Sequence, residues 1–172
     1  MSERSGSVFR CCAAVALALI VVVALAGCTP RVGGSSTAKS APPTAVEKEI
    51  IASINKFRAA HGLHALVWEA NISDKAKLWA AWMAGGNCPH APNAGPTICH
   101  SNLTSGITVH WSLLEENVGA ATPKTNVAGL MSGFQHSKEH AANMLNGKIT
   151  AIGIGAAYSG NTIFVAEEFM AS

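Results

Sequence analysis

A long apolar stretch near the N-terminus decides how much of this chain is available for a folded domain. Arg4 and Arg10 precede an apolar run over residues 11–25, and small residues follow it. A basic start, an apolar middle and small residues before a cleavage point are the parts of an export signal. We therefore predict that residues 1–27 are a signal peptide. The alternative is an uncleaved transmembrane anchor, for which the run is at the lower edge of the length that spans a bilayer.

The residues that close this stretch are Leu25-Ala26-Gly27-Cys28, and they resemble the lipobox of bacterial lipoproteins. The resemblance implies that Cys28 becomes the first mature residue, that its sulfur carries a diacylglyceryl group, and that its amine is acylated with a chain such as palmitate. Two or more acyl chains give a stable membrane anchor. We therefore expect a lipid-anchored protein on the extracytoplasmic face of the cell membrane.

Composition divides the mature chain into a tether and a domain. Residues 28–43 begin at the lipidated cysteine and are otherwise small or polar, so they bury too little apolar surface to fold and serve as a flexible tether. Residues 44–172 are then the folded domain. The whole chain has 12 Lys and Arg against 10 Asp and Glu, without a clustered basic segment, which argues against a nucleic-acid partner.

Two cysteines remain as thiols once Cys28 is lipidated and the signal is removed. They are Cys88 and Cys99, and an exported protein meets an oxidising environment. We predict a disulfide between them. The alternative is a two-cysteine metal site with His90 and His100 nearby, but the ten-residue spacing does not match zinc-binding patterns.

Local signals predict two helices in the first half of the domain. Thr44-Ala45-Val46-Glu47 has the form of a capping box, and Gly62 supplies the stop of the first helix. Ser73 is the predicted cap of a second helix that ends at Gly85-Gly86. Its apolar face, Leu78, Trp79, Trp82 and Met83, is expected to lie in the core.

The second half of the domain is predicted to contain further helices and then a hairpin. Thr125 or Asn126 begins a third helix, and Ser137 caps a short fourth one. Two strands flank a turn at residues 159–161. Helices followed by strands favour an α+β fold with an antiparallel sheet.

Several short motifs, in a fixed order from Glu47 to Phe169, resemble the CAP superfamily, which contains the cysteine-rich secretory, antigen 5 and pathogenesis-related-1 proteins, and its bacterial SCP-like branch in particular. The matching segments are Asn55-Lys56-Phe57-Arg58, His61-Gly62-Leu63, His100-Ser101, Glu116-Asn117-Val118-Gly119, Ser137 to Leu145 and Ile152-Gly153-Ile154-Gly155. The resemblance implies an α-β-α sandwich with a surface cleft that contains two histidines and one or two glutamates.

The resemblance assigns the cleft to His100, Glu116 and His140. Two imidazoles and a carboxylate suit a divalent cation, zinc above all, with an open position for a ligand group. The same side chains could instead form a hydrogen-bonded network without metal. A second glutamate that the family often has is missing from residues 125–135. His136 could replace it as a ligand, but we interpret it as a surface histidine.

A second motif overlaps the cleft residues. His136-Ser137-Lys138-Glu139-His140 fits H-x-x-E-H, in which two histidines on one helix hold zinc and the glutamate activates water. That arrangement would make the protein a tethered peptidase. The predicted cap at Ser137 argues against it, because it interrupts the helix inside the motif.

Three functions remain open from the sequence. The first is a non-enzymatic binding module whose cleft takes a small, lipid or sterol-like ligand or an envelope partner. The second is a metal-dependent hydrolase or peptidase. The third is a structural or antigenic surface domain with a vestigial cleft. We favour the first, and no catalytic residue is assigned.

Overall fold

The computed structural model describes residues 40–89 and 96–172, and all of them fall within one unit of the chain. The predicted signal peptide, Cys28 and the tether as far as residue 39 lie outside the described residues. The elements are α1 (Ala45–Ala60), β1 (Val67–Trp68), α2 (Ala70–Ala84), β2 (Leu113–Ala121), α3 (Val127–His136), α4 (Lys138–Met144), β3 (Ala151–Ser159) and β4 (Thr162–Ala171). Within these ranges, no helix is long and apolar enough to cross a bilayer.

The first helix begins and ends where the local signals predict. The backbone N–H of Thr44 donates to the Glu47 carboxylate at 2.7 Å, and the Glu47 N–H donates to the Thr44 hydroxyl at 3.4 Å. Gly62 follows the helix with a φ of 74°, in the left-handed region that glycine adopts without strain. The capping box and the glycine stop are therefore confirmed.

The four strands form one sheet in the order β1-β3-β4-β2. β4 pairs antiparallel with β2 and with β3, and the β3–β4 hairpin turns at Gly160. The two-residue β1 pairs parallel with β3, from which it is separated in sequence by α2, β2, α3 and α4. This short parallel pair is an addition to the antiparallel sheet that the sequence predicts.

Helices cover both faces of the sheet. α2 packs on one face, against β3 and β4, while α1, α3 and α4 lie on the other. The larger core cluster lies between α1, α3 and the sheet and includes Ile54, Phe134, Ile154 and Phe169, all nearly inaccessible to solvent. The α+β class and the α-β-α sandwich are confirmed.

Two predictions for α2 are wrong. Its N-cap is Glu69, whose carboxylate accepts from the Ile72 N–H at 2.9 Å, and Ser73 lies buried inside the helix. Leu78 and Trp82 do not belong to the core, since they are 74% and 48% exposed, whereas Met83 is buried and Trp79 is partly buried as predicted. The physical reason is that the part of α2 that lies directly on the glycines of β3 carries small residues such as Ser73 and Ala76, and this close contact sets which side of the helix faces the sheet.

The predicted disulfide is present between Cys88 and Cys99, with an S–S distance of 2.06 Å. It therefore excludes the alternative in which the two thiolates bind a metal. The bridge holds the chain after α2 close to residues 99–101, and the Trp79 indole N–H donates to the Cys99 carbonyl at 2.7 Å. The loop that delivers His100 is thus fixed to α2.

Candidate functional site

His100 and Glu116 form the centre of the candidate site. Glu116 lies on β2, the strand at one edge of the sheet, and its side chain is 1% exposed. Its Oε1 accepts from the Ser101 backbone N–H at 2.8 Å and lies 2.9 Å from His100 Nδ1. The His100 side chain is 65% exposed. A buried carboxylate therefore orients an imidazole whose other nitrogen remains available to solvent.

Lys75 on α2 joins this pair to a second carboxylate. Its Nζ donates to the Ser101 hydroxyl at 2.5 Å, forms an ion pair with Glu168 on β4, and lies 3.5 Å from Glu116 Oε2. The side chains of Lys75, Glu116 and Glu168 are all at least nine-tenths buried. Sequence reasoning missed Lys75 and Glu168. The sequence feature that could have revealed this cluster is the Glu167-Glu168 pair inside an otherwise apolar strand, because a buried charge needs a partner of opposite charge.

The two carboxylates differ in their preferred charge. Burial alone would raise the pKa of Glu116, but hydrogen bonds from Ser101, Glu168 and His100 outweigh it and hold this pKa below its usual value. Burial raises the pKa of Glu168 to about 8, although Lys75 acts in the opposite direction. Burial and hydrogen bonding therefore pull the two carboxyl groups beside the Lys75 ammonium in opposite directions, with Glu116 favouring the ionised form and Glu168 taking up a proton more readily than an ordinary glutamate.

His140 lies in an adjacent cavity. Successive residues of a strand point to opposite faces, so Glu116 points toward α2 while Asn117 points toward α4. The His140 Nδ1 lies 2.8 Å from the Ser137 hydroxyl, and its ring packs on Phe134 with centroids 4.6 Å apart. Burial, and then the nearby charge of His100, lower the pKa of His140.

Two cavities therefore divide the predicted cleft residues. A cavity of about 370 Å³, which we call the histidine cavity, is lined by His100, Ser101, Leu103, Leu114, Glu115, Glu116 and Asn143. A cavity of about 470 Å³ contains His140, together with Phe134 and Ser137. The structure thus brings His100 and Glu116 into direct contact and places His140 beside them.

A buried amide network connects the two cavities. Asn143 Nδ2 on α4 donates to the Glu116 carbonyl at 3.1 Å and to Asn117 Oδ1 at 2.9 Å. Asn117 Nδ2 in turn donates to the His140 carbonyl at 3.2 Å and to Glu167 Oε2 at 2.9 Å. The asparagines of the two sequence motifs therefore fix α4 on the edge strand.

The side chains do not fit a three-ligand metal site in this arrangement. One oxygen of Glu116 accepts from two donors and the other faces the Lys75 ammonium. In residues 40–89 and 96–172, no three His, Cys, Asp or Glu side chains are grouped so that they could hold a metal ion. We derive no metal-dependent chemistry, and zinc binding at His100, Glu116 and His140 stays a prediction.

The H-x-x-E-H motif does not have the single-helix geometry that its zinc-peptidase interpretation requires. His136 ends α3, and Ser137 has extended backbone angles, φ −84° and ψ 127°, before α4 begins. The two histidines therefore do not share one helical face. His136 is exposed and its Nδ1 lies 2.8 Å from the Ser132 carbonyl of its own helix, as expected for a surface histidine.

The buried glutamates predict a stability that falls as the pH rises. Burial raises the pKa of Glu167 to about 8, so the folded state holds a proton that the unfolded state releases near its ordinary pKa. This contribution is complete at low pH and is lost as the pH rises through about 8, at about 1.4 kcal/mol per unit of pKa difference. Urea unfolding between pH 7.5 and 9 measures it, above the range in which His140, whose pKa is lowered in the folded state, acts in the opposite direction.

Glu167→Gln should reduce this pH dependence, because the amide keeps the shape of the side chain and cannot ionise, while Glu168, whose pKa is also raised to about 8, still titrates. The exposed Glu139→Gln is the matched control and should leave the profile of the wild type unchanged. Equal slopes in the wild type and in Glu167→Gln would contradict the prediction.

Comparison with known proteins agrees with this fold. The family described as the cysteine-rich secretory protein family, CAP, matches residues 51–169. No curated protein matches the chain. Similar solved structures include an extracellular protein with an SCP domain from Bacillus anthracis str. Ames, at 23% identity and a TM-score of 0.56, over 77% of this chain and 45% of that chain.

Two further bacterial structures share the architecture. An outer surface protein from Borrelia burgdorferi has 16% identity and a TM-score of 0.59, over 76% of this chain and 96% of that one. A cysteine-rich secretory protein from Staphylococcus aureus has 16% identity and a TM-score of 0.55, over 73% of this chain and 38% of that one. This chain thus spans less than half of the Bacillus and Staphylococcus proteins. These likenesses show the fold, and the match to residues 51–169 shows the family: the chain belongs to the CAP, or cysteine-rich secretory protein, family.

Proposed function

We propose that the mature protein is an exported, lipid-anchored binding module that takes a small amphipathic ligand in the histidine cavity and does not transform it. The lipobox at Cys28 supports the anchor. The extracellular and surface proteins among the similar structures agree with an exported domain.

The observation that carries the proposal is the imidazole of His100, which Glu116 orients and solvent reaches. Its Nδ1 is engaged by the carboxylate, so its Nε2 is free to bond a ligand group. Leu103 and Leu114 line the same cavity, whose volume of about 370 Å³ is within the usual range of small-molecule sites. A ligand with one hydrogen-bonding head and a short apolar part fits these surroundings.

The same geometry disfavours hydrolysis by Glu116. A general base must be able to accept a proton from water or substrate. Both Glu116 oxygens are turned toward protein groups, and hydrogen bonds hold its pKa below the usual value. The carboxylate is therefore better suited to holding His100 and balancing Lys75 than to activating water.

A short fluorescent amphipathic acid, dansyl-labelled 4-aminobutyric acid, tests the proposal. We expect its emission to rise saturably with the wild-type protein, and His100→Ala to weaken binding about tenfold, which corresponds to 1.4 kcal/mol and the loss of one good hydrogen bond. His110→Ala changes another exposed histidine and should leave the affinity unchanged.

Hydrolysis of p-nitrophenyl butyrate separates the enzyme alternative from binding. The proposal requires equal background rates in the wild type and in Glu116→Gln. Saturable hydrolysis that Glu116→Gln abolishes would replace the binding module with the hydrolase. Equal affinity of the dansyl probe for the wild type and His100→Ala would remove the histidine cavity as the binding site.

A further inference from the structure

We infer that the solvent-facing side of α2 rests on the bilayer that holds the protein, with Leu78 and Trp82 in the headgroup region. The inference depends on the lipid anchor of the proposed function but not on the ligand of the histidine cavity. It concerns a different surface, which we call the α2 face: Leu78, Trp79 and Trp82 with the polar residues around them.

The α2 face exposes large apolar side chains at helical spacing. Leu78 is 74% exposed and Trp82, one turn later, is 48% exposed. Trp79 and Trp82 stack with ring centroids 6.1 Å apart, so the two indoles form one surface. Neighbouring exposed apolar groups of this size mark contact surfaces. Tryptophan, with an apolar ring and a polar N–H, is favoured at membrane interfaces.

A groove with a polar rim runs beside these side chains. Its volume is about 410 Å³, and Asn71, Asn102 and Ser105 are among the polar groups that line it. The loop on its far side is fixed to α2, because Asn71 Nδ2 donates to the Gly106 carbonyl at 3.2 Å and the Thr108 N–H donates to Asn71 Oδ1 at 2.9 Å. The α2 face is therefore a preformed surface with hydrogen-bonding groups at the level of its apolar ones.

The first described residues, which follow the predicted tether, lie against α2 and so place the attachment to lipid near the α2 face. The described chain begins at Ser40, whose hydroxyl donates to the Asp74 carboxylate on α2, and Lys77 Nζ donates to the Ala41 carbonyl at 2.9 Å. Cys28 precedes Ser40 by twelve residues, and the tether that the sequence predicts there would have a mean reach of about 20 Å. Trp82 lies about 12 Å along the helix from Asp74, at 1.5 Å per residue.

Because the tether holds the domain near the membrane, even a weak contact between the α2 face and lipid is enough to keep that face on the bilayer. A surface held within a short linker's reach of its partner meets it at an effective concentration of about millimolar. Charge contributes little, because Asp74 and Lys77 offset each other on this part of α2. We therefore expect contact with neutral lipid and little dependence on salt.

The test uses the mature chain, residues 28–172, coupled to lipid at a defined point. With Cys88 and Cys99 in a disulfide, Cys28 is the free thiol, and it reacts with a maleimide headgroup in phosphatidylcholine vesicles. Bromine atoms on the acyl chains of the phosphatidylcholine quench any tryptophan that enters the interface. We expect quenching of the wild type, reduced by about half or more in Trp82→Phe, since this ring is the most exposed indole of the α2 face.

Matched variants distinguish contact at the α2 face from quenching that arises only because the whole domain is tethered near the vesicle. Trp111→Phe removes a tryptophan that is 38% exposed elsewhere and should leave most of the quenching. Leu78→Asp should abolish it, whereas Val67→Asp, at 70% exposure on β1, should not. No quenching in the wild type, or equal quenching in Leu78→Asp, overturns the inference and leaves the face to a protein partner.

The anchor is measured separately, so the two proposals can fail independently. The maleimide lipid supplies the tether chemically, whether or not the cell acylates Cys28. The mass of the N-terminal peptide from a bacterial host reports acylation itself. Quenching without acylation would refute the anchor alone, and acylation without quenching would refute the α2 contact alone.

Discussion

Replacing Arg58 with alanine is expected to destabilise the domain by about 3–5 kcal/mol, a large part of the 5–15 kcal/mol that stabilises an ordinary domain. Arg58 is 1% exposed, and its guanidinium donates to the carbonyls of His64, Met144, Asn146 and Ile149. The variant would leave these carbonyls without their donors and open a cavity. Urea unfolding at neutral pH gives the loss directly.

Two further variants keep this prediction testable if Arg58→Ala fails to fold. Arg58→Lys retains a cation but not the planar fork of donors, so we expect an intermediate loss. Lys56→Ala removes an exposed cation from the same helix and should stay within about 0.5 kcal/mol of the wild type. No loss in Arg58→Lys and Arg58→Ala would show that the buried hydrogen bonds do not stabilise the domain, and a loss in Lys56→Ala as large as in Arg58→Ala would show that the effect is not specific to them.

Arg58 also explains why short motifs were informative about the fold. Arg58 and Asn55 lie one turn apart on α1, and both bind backbone groups outside it: Asn55 Nδ2 donates to the Leu66 carbonyl at 3.1 Å and its Oδ1 accepts from the Leu66 N–H at 2.7 Å. The resemblance identified these residues but not their task. Their side chains form hydrogen bonds with backbone groups of the segment that leads into β1 and of the turn that leads into β3.

Elements whose ends are defined locally were predictable. A capping box, a glycine stop and a hairpin turn depend on a few neighbouring residues, and each was found at its predicted place. The buried face of α2 was predicted only in part, because Met83 and Trp79 pack inward but Leu78 and Trp82 face solvent. Which face of a helix is buried depends on the shape of the sheet surface beneath it. Gly153 and Gly155 on β3 let α2 approach closely, and this favours small helix residues at the contact.

The candidate site was likewise predictable only where its residues lie in local sequence motifs. His100 and Glu116 were recognised because each lies in a motif of its own. Lys75 and Glu168 were missed because the ion pair joins residues 93 positions apart, and no local pattern reports such a distance. The division of the cleft also depends on long-range structure, since the alternation of β2 and the placement of α4 put Glu116 and His140 in different cavities.

Gly155→Ala is the second change for which we expect a large effect, a loss of about 3 kcal/mol or more of unfolding free energy or no stable fold. A Cβ at Gly155 would lie 2.1 Å from the backbone carbonyl of Ala76 in α2. Neither backbone can move alone, because β3 is paired with β4 along its whole length and α2 is packed on β3 and β4. Urea unfolding or, for an unstable variant, the soluble yield and circular dichroism measure the effect.

Gly133→Ala is the matched control, since it adds the same methyl group to a glycine of α3 where nothing lies within 4 Å of the new Cβ. In a helix this change reduces the entropy of the unfolded chain, so we expect a gain of about 0.5–1 kcal/mol. Opposite signs for one methyl group would show that contact with α2, rather than the loss of a glycine as such, determines the result. Lys75 lies on α2, and the close contact of α2 with β3 depends on the missing side chain of Gly155. If Gly155→Ala were tolerated, α2 would be able to move away from the sheet. The ion pair of Lys75 with Glu168 would then not be held by the packing described here.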